Sequence, residues 1–220
     1  MNMMARAVIG NMLLLVTSLS QGAGVAVLQS GSGQHQATMN IEYDDGDHVR
    51  MSVPQDTGGE AFMLYRDGRI WMVMNIQGQT MVMDVARMAA MGGVNNDDTL
   101  QQEFIRARPT GEKERVAGFV GEVYELTWKE RGQTRTDRVV LSKDPVVVEY
   151  SRAWMKFADG MARSMGQKLN NSIGQYLDRN DLGLLKIGDD FQVVSIKQEK
   201  VDEKRFVLPK ATMQMPMFGG

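Results

Sequence analysis

Between residues 37 and 85 apolar and polar side chains alternate with a period of two, and the alternation breaks at Asp45-Gly46, Asp67-Gly68 and Gln77-Gly78. Alternation of this kind marks half-buried strands, and a Gly-containing polar step between two such runs marks a hairpin turn. Register follows from hydrophobic matching, because a slip of one residue moves every side chain to the other face. In ATMNIEYDDGDHVRMSVP a three-residue loop (Asp45, Gly46, Asp47) sets Tyr43 opposite Val49, Ile41 opposite Met51 and Met39 opposite Val53. A two-residue loop would set Ile41 against Arg50, so the first register is expected. By the same rule EAFMLYRDGRIWMVMNIQ pairs Tyr65 with Ile70, Met63 with Met72 and Ala61 with Met74. The next turn pairs Met74 with Met81 and Met72 with Met83. One face of this meander therefore carries Met63, Met72, Met74, Met81 and Met83 with Tyr65, Ile70, Ile76 and Val85. The other carries Phe62, Leu64, Trp71, Val73 and Val82 among Asn75, Thr80 and Asp84, which is apolar enough to call for a partial cover of its own.

The pattern lapses over 86–114, where a short apolar helical piece, a Gly-Gly-Val-Asn-Asn turn, a helix over Thr99–Arg106 and an exposed charged loop are expected as a connection. Strand pattern resumes with Val123, Leu126, Trp128, Val139 and Leu141 on two strands around Gly132. At residue 144 the period changes. Asp144 is placed to cap a helix with Pro145 in its first turn, and Val147, Tyr150, Trp154, Phe157, Ala158, Met161 and Met165 form one apolar stripe at helical spacing. That helix, over 145–165, has the face needed to lie across the sheet. A second helical piece over 167–178, strands near 190–198 and 203–208, and a tail after Pro209 complete the chain.

The N-terminus has a different character. MNMMARAVIGNMLLLVTSLSQGAG places Arg6 before an apolar run from Ala7 to Leu19, followed by small and polar residues, which is the layout of a secretory signal peptide. The run is too short to span a bilayer comfortably. Residues 1–24 are read as a signal peptide cut between about 22 and 26, residues 25–210 as a single domain and residues 211–220 as a flexible Met-rich tail. The expected location is periplasmic or secreted, with no transmembrane segment in the mature chain.

Charge and chemistry change this picture little. The net charge of −2 gives no electrostatic reason to expect nucleic acid, and no cysteine is present to serve as nucleophile, thiolate ligand or lipid anchor. His48 lies among Asp44, Asp45 and Asp47, but in a tight turn that uses Asp and Gly for backbone reasons, and His35 lies in a polar segment. No G-x-S-x-G, dinucleotide or P-loop pattern occurs. Arg106, Arg108, Lys113 and Arg115 are diluted by Glu112 and Glu114. A non-enzyme without a cofactor is expected.

The nineteen methionines are the anomaly. Three readings stand beside one another. The Met face can be plain core; it can line a cavity for a hydrophobic small molecule or lipid, since flexible thioethers repack around varied shapes; or thioethers can hold Cu(I), for which Met213, Met215 and Met217 of the tail have the local spacing. The candidate ligand-binding residues are Met63, Tyr65, Ile70, Met72, Met74, Met81, Met83 and Trp154. A purely structural or interaction module is the remaining alternative.

YDDGDHVRMSVP, LYRDGRIWMVMNIQGQTMVMD, VAGFVGEVYEL and the late FVLP give a chain that resembles the periplasmic lipoprotein-sorting (LolA/LolB-like) superfamily over about 37–209, closest to an uncharacterised Met-rich exported group within it. The resemblance implies an α+β fold: a strongly curved antiparallel β-sheet, a half-barrel, with one or two helices covering the concave face. Superfamily members with known roles hold lipid acyl chains in that cavity. Register and resemblance together put the Met face on the concave side.

Overall fold

The computed structural model describes residues 22–31, 36–44, 47–52, 60–91, 102–130, 132–167 and 172–212. The expected signal peptide lies almost wholly outside them, as do Met213, Met215 and Met217.

The hairpins form in the registers that matching apolar positions dictates. Strands β2 (Ala37–Asp44) and β3 (His48–Ser52) pair Tyr43 with Val49 and Ile41 with Met51. Strands β4 (Ala61–Arg66), β5 (Arg69–Ile76) and β6 (Gln79–Asp84) pair Met63 with Met72, Tyr65 with Ile70, Met72 with Met83 and Met74 with Met81. The tight turns between them place Asp67, Gly68, Gln77 and Gly78 at positive φ, which glycine supplies without steric cost.

Among the described residues all pairings are antiparallel, and eleven strands make one sheet in the order β6-β5-β4-β3-β2-β1-β11-β10-β9-β8-β7. Two consecutive meanders meet at its centre, where β1 (Gly24–Ser30) pairs with both β2 and β11 (Phe191–Gln198). The second meander contains β7 (Gln102–Val116), β8 (Phe119–Glu130), β9 (Gln133–Ser142) and β10 (Gly183–Ile187).

Helix α2 (Pro145–Ser164) starts where expected: the Asp144 carboxylate accepts the Val146 N–H at 3.0 Å, and Pro145 occupies the first turn. Its stripe joins the main core, in which Val147, Tyr150, Ala153 and Phe157 pack with Leu28, Tyr43, Ile70 and Val193. The approach is close. A Cβ on Gly160 would stand 2.7 Å from the Tyr65 ring, and one on Gly183 would stand 2.4 Å from the Val147 carbonyl oxygen. Helix α1 (Val85–Met91) follows β6, and α3 (Ser172–Arg179) packs with Tyr124, Leu126, Val139 and Leu141 in a second cluster. Since Val139 and Leu141 belong to that cluster and Val140 to the main one, β9 is buried on both sides. This accounts for the uninterrupted apolar run Val139-Val140-Leu141, which a half-buried strand would have broken with polar residues.

Two expectations are corrected. The helix and charged loop expected across Thr99–Arg106 and beyond are, from Gln102 onward, the long edge strand β7. Its charges find partners on other strands, Arg108 with Glu125 of β8 at 2.8 Å and Glu114 with Lys186 of β10 at 2.8 Å, and Pro109-Thr110-Gly111 forms an irregularity in the ladder, with Gly111 at φ +83°, in place of a loop. The strand expected at 203–208 is a single 3₁₀ turn, Glu203–Phe206, whose Lys204 N–H is capped by Asp202 at 3.0 Å. The sequence pattern does not predict β10, and β1 begins at Gly24, within the expected cleavage window.

The second face of β2–β6 receives the cover its apolar content called for. The segment after β11 runs over it: Arg205 makes two bonds to Glu42 (2.8 and 2.5 Å), and Arg66 donates to the Phe206 carbonyl at 3.1 Å. The Phe206 ring stacks on His48 with centroids 5.8 Å apart, and Thr212 exchanges hydrogen bonds with the Thr80 backbone at the β6 edge.

Candidate functional site

The Met face is largely occupied by the protein itself. Ile70 is fully buried beneath α2; Met63, Tyr65 and Met72 are half-buried against the main core; Met74, Met81 and Met83 are half-buried further along the same face. None of the clefts discussed below is lined by Met72, Met74 or Met83. His48 is held locally. Its N–H and its Nδ1 both meet the Asp44 carboxylate, at 2.9 and 2.8 Å, so the pair braces the hairpin end.

Of the expected ligand-binding residues, only Trp154 lines the principal apolar cleft, which lies where α2 and α3 meet β8–β10. The sequence positions it by helical spacing: Trp154 follows Tyr150 on the α2 stripe and stacks between Phe157 and Phe191, with centroids 6.0 and 6.4 Å away. The cleft has a volume of about 380 Å³, within the usual range for small-molecule sites. Its walls are Leu126, Trp128 and Val139 from the sheet, Met155 from α2, Ile173 and Leu177 from α3, and Leu184 and Ile187 from β10. Arg135, Asp137 and Asp190 supply the polar lining.

Helix α3 is set in place from both ends. Ser172 Oγ accepts the Phe104 N–H at 2.9 Å, and Phe104 stacks on Tyr176 with centroids 4.8 Å apart. At the other end Arg152 of α2 bridges Asp178 (2.8 Å) and Asp181 (3.1 Å), which raises its pKa further above the ordinary arginine value through those hydrogen bonds. Beneath the helix, burial and the bond from its hydroxyl to Glu122 push the Tyr124 phenol up to about 12, so it is neutral throughout the physiological range.

One residue of the lining carries a buried polar atom without a partner. Trp128 Nε1 is shielded from solvent and meets no acceptor among the described residues. An indole N–H is donor-only, and a buried donor without an acceptor costs about 1–3 kcal/mol. Sequence reasoning identified Trp128 as a strand residue but not as a site residue. A tryptophan between Thr127 and Lys129 gives no signal of a site in sequence, and gains meaning only once β8–β10, α2 and α3 are seen to form the cleft.

Among the described residues no group of three His, Asp or Glu side chains is placed to hold a metal ion, and no helix is long and apolar enough to cross a membrane. No family model, curated protein or solved structure matches this chain.

Proposed function

We propose that this chain is an exported, non-catalytic binding protein. It holds a hydrophobic or lipid-like ligand in the cleft between β8–β10, α2 and α3, with an acceptor atom of the ligand taking the Trp128 N–H. The observation that carries the reading is a mostly apolar cleft of about 380 Å³ lined by Trp128, whose buried indole N–H meets no acceptor among the described residues. An apolar wall with one oriented donor suits a chain-like ligand bearing a carbonyl, carboxylate or ester oxygen. The Met face, in this reading, is an adaptable wall behind α2.

The proposed sheet is a strongly curved half-barrel with α2 on its concave side, as the resemblance to the lipoprotein-sorting superfamily implies. Two observations support that curvature. First, Cα atoms of β7 and β11 approach within 8 Å although β8, β9 and β10 lie between them in the sheet order. A flat sheet would hold these strands about 19 Å apart. Second, β6 and β7 are opposite edges, joined only through α1 and the residues up to 101. Ten inter-strand gaps put flat edges about 48 Å apart, a distance the connection reaches only if its non-helical part is pulled straight.

Export rests on the leader pattern. A cut in the earlier part of the proposed 22–26 window would leave β1, which begins at Gly24, whole.

The test is uptake of a fluorescent fatty acid by the purified protein, with native mass spectrometry for a co-purified lipid. Wild-type protein is expected to bind, Ile173→Arg to lose binding, and Met83→Ala to retain it. Absence of uptake by wild-type protein, or equal uptake by Ile173→Arg in a folded state, would overturn the assignment.

A further inference from the structure

A second cleft lies on the other side of the β2–β6 meander, where the C-terminal segment crosses it. Arg50, Glu60, Phe62 and Thr80 line it from the strand side, and Lys204 and Arg205 from the segment, around a volume of about 240 Å³. That is below the usual range for drug-sized ligands and suits a compact group.

Its chemistry is set by Arg50. The residue is only 4% exposed, its Cζ lies 3.7 Å over the Phe62 ring, and its Nε meets no acceptor among the described residues. The ion partner is the Glu60 carboxylate, yet Glu60 is 61% exposed and therefore well solvated where it is. A deeply buried guanidinium joined to a water-facing carboxylate is incompletely compensated, since buried charges require well-fixed partners. Burial and the nearby Arg205 lower the pKa of Arg50 below the ordinary arginine value, which registers the same deficit. Arg205 is itself held by Glu42, while the Lys204 ammonium has no acidic partner among the described residues. The lining thus carries three cations against one carboxylate, and one of those cations is uncommitted.

We propose that this cleft is a binding site for a compact oxyanion of the phosphate class, which displaces the Glu60 carboxylate from Arg50 and recruits the Lys204 ammonium as a second donor. Arg50 supplies a planar, fork-shaped donor suited to two oxygens of one group, and Lys204 supplies a point charge that swings in. Glu60 acts as an internal competitor for the same guanidinium. The site is independent of the apolar cleft, which lies against the other meander.

The competitor role gives the test opposite signs at two residues. Inorganic phosphate is titrated at constant ionic strength, with binding read by calorimetry and by the rise in Tm. Lys204→Ala is expected to weaken binding roughly fivefold to tenfold, the loss of one charge-assisted contact. Glu60→Gln is expected to tighten it by a similar factor, and Lys200→Ala, outside the lining, to leave it unchanged. A flotation arm with phosphatidylglycerol against phosphatidylcholine vesicles separates sources. Vesicle binding that phosphate competes away assigns the anion to a lipid headgroup, and phosphate binding without vesicle binding assigns it to a free phosphate. No phosphate-dependent change in wild-type protein, an equal loss in Lys204→Ala and Lys200→Ala, or weaker binding in folded Glu60→Gln would each overturn the proposal.

Discussion

Tyr43 and Tyr150 sit side by side in energetic terms: both are essentially inaccessible, and neither hydroxyl meets a partner among the described residues. Burial raises both phenol pKa values well above the ordinary value near 10, and the Glu149 charge adds to the effect at Tyr43. In the unfolded chain the phenols lose their protons near pH 10, whereas in the folded protein they keep them. The unfolded state then binds fewer protons, so stability falls as pH rises. The contribution is intact below pH 10 and is lost upward from there, by at most about 1.4 kcal/mol per pH unit for each phenol. Tyr43→Phe is therefore expected to remove about a third of the tyrosine-linked alkaline loss between pH 10 and 11, the rest staying with Tyr150 and with Tyr124, whose phenol is likewise raised. At pH 7 it should shift stability by no more than about 1 kcal/mol, because an orphaned hydroxyl is being deleted. Urea unfolding of both proteins at pH 7, 10 and 11 checks this. Identical pH dependence in the two would refute the assignment.

At the scale of elements, the 3₁₀ turn Glu203–Phe206 anchors the C-terminal segment by two contacts of unequal weight. Phe206 is 2% exposed and stacks on His48, whereas the Arg205–Glu42 pair is partly solvated on the arginine side. Phe→Ala at a buried site costs about 3–5 kcal/mol, and a surface ion pair about 0–1 kcal/mol. Phe206→Ala should thus lower the urea midpoint at least twice as far as Arg205→Ala, with m unchanged in both. Equal shifts would mean that the ion pair, not the ring, fastens the segment. This element also shows where sequence pattern stops informing. EKRFVL has the composition of a short strand, but Asp202 accepts the Lys204 N–H and the chain closes into a local 3₁₀ turn. Similarly, β7 looks like a charged loop because its charged residues are paired by strands distant in sequence, Arg108 with Glu125 of β8, Glu112 with Arg138 of β9 and Glu114 with Lys186 of β10. The hairpins around residues 45, 67 and 77 were legible because pairing there is local and a single wrong register exposes several methionines.

The whole molecule depends on a pairing no local pattern contains, that of β1 with β11, whose partners run from Gly24–Gln198 to Ser30–Phe191. The same distance in sequence hid the apolar cleft, whose walls come from β8, β9, α2, α3 and β10, so that only the Trp154 stripe was readable in advance. Because β1 is the one strand joining the two meanders, its removal should do more than shorten an edge. A chain beginning at Ala23 keeps every β1 pairing and is expected to unfold in one cooperative transition. A chain beginning at Leu28 loses Gly24, Val25, Ala26 and Val27, and with them four of the seven cross-strand pairs that β1 makes on each side. It also uncovers the Tyr43 ring packed against Gly24 and removes Ala26 from the core. Edge truncations in sheets are tolerated when few buried groups depend on them, but here both ladders lose their backbone partners at once, and each unpaired buried amide or carbonyl costs about 1–3 kcal/mol. That sum is comparable to the whole stability of an ordinary domain, about 5–15 kcal/mol. The Leu28-start chain should therefore be unfolded or split into two separate transitions by circular dichroism and urea titration. A single transition at the midpoint of the Ala23-start chain would show instead that the meanders hold together through α2 alone.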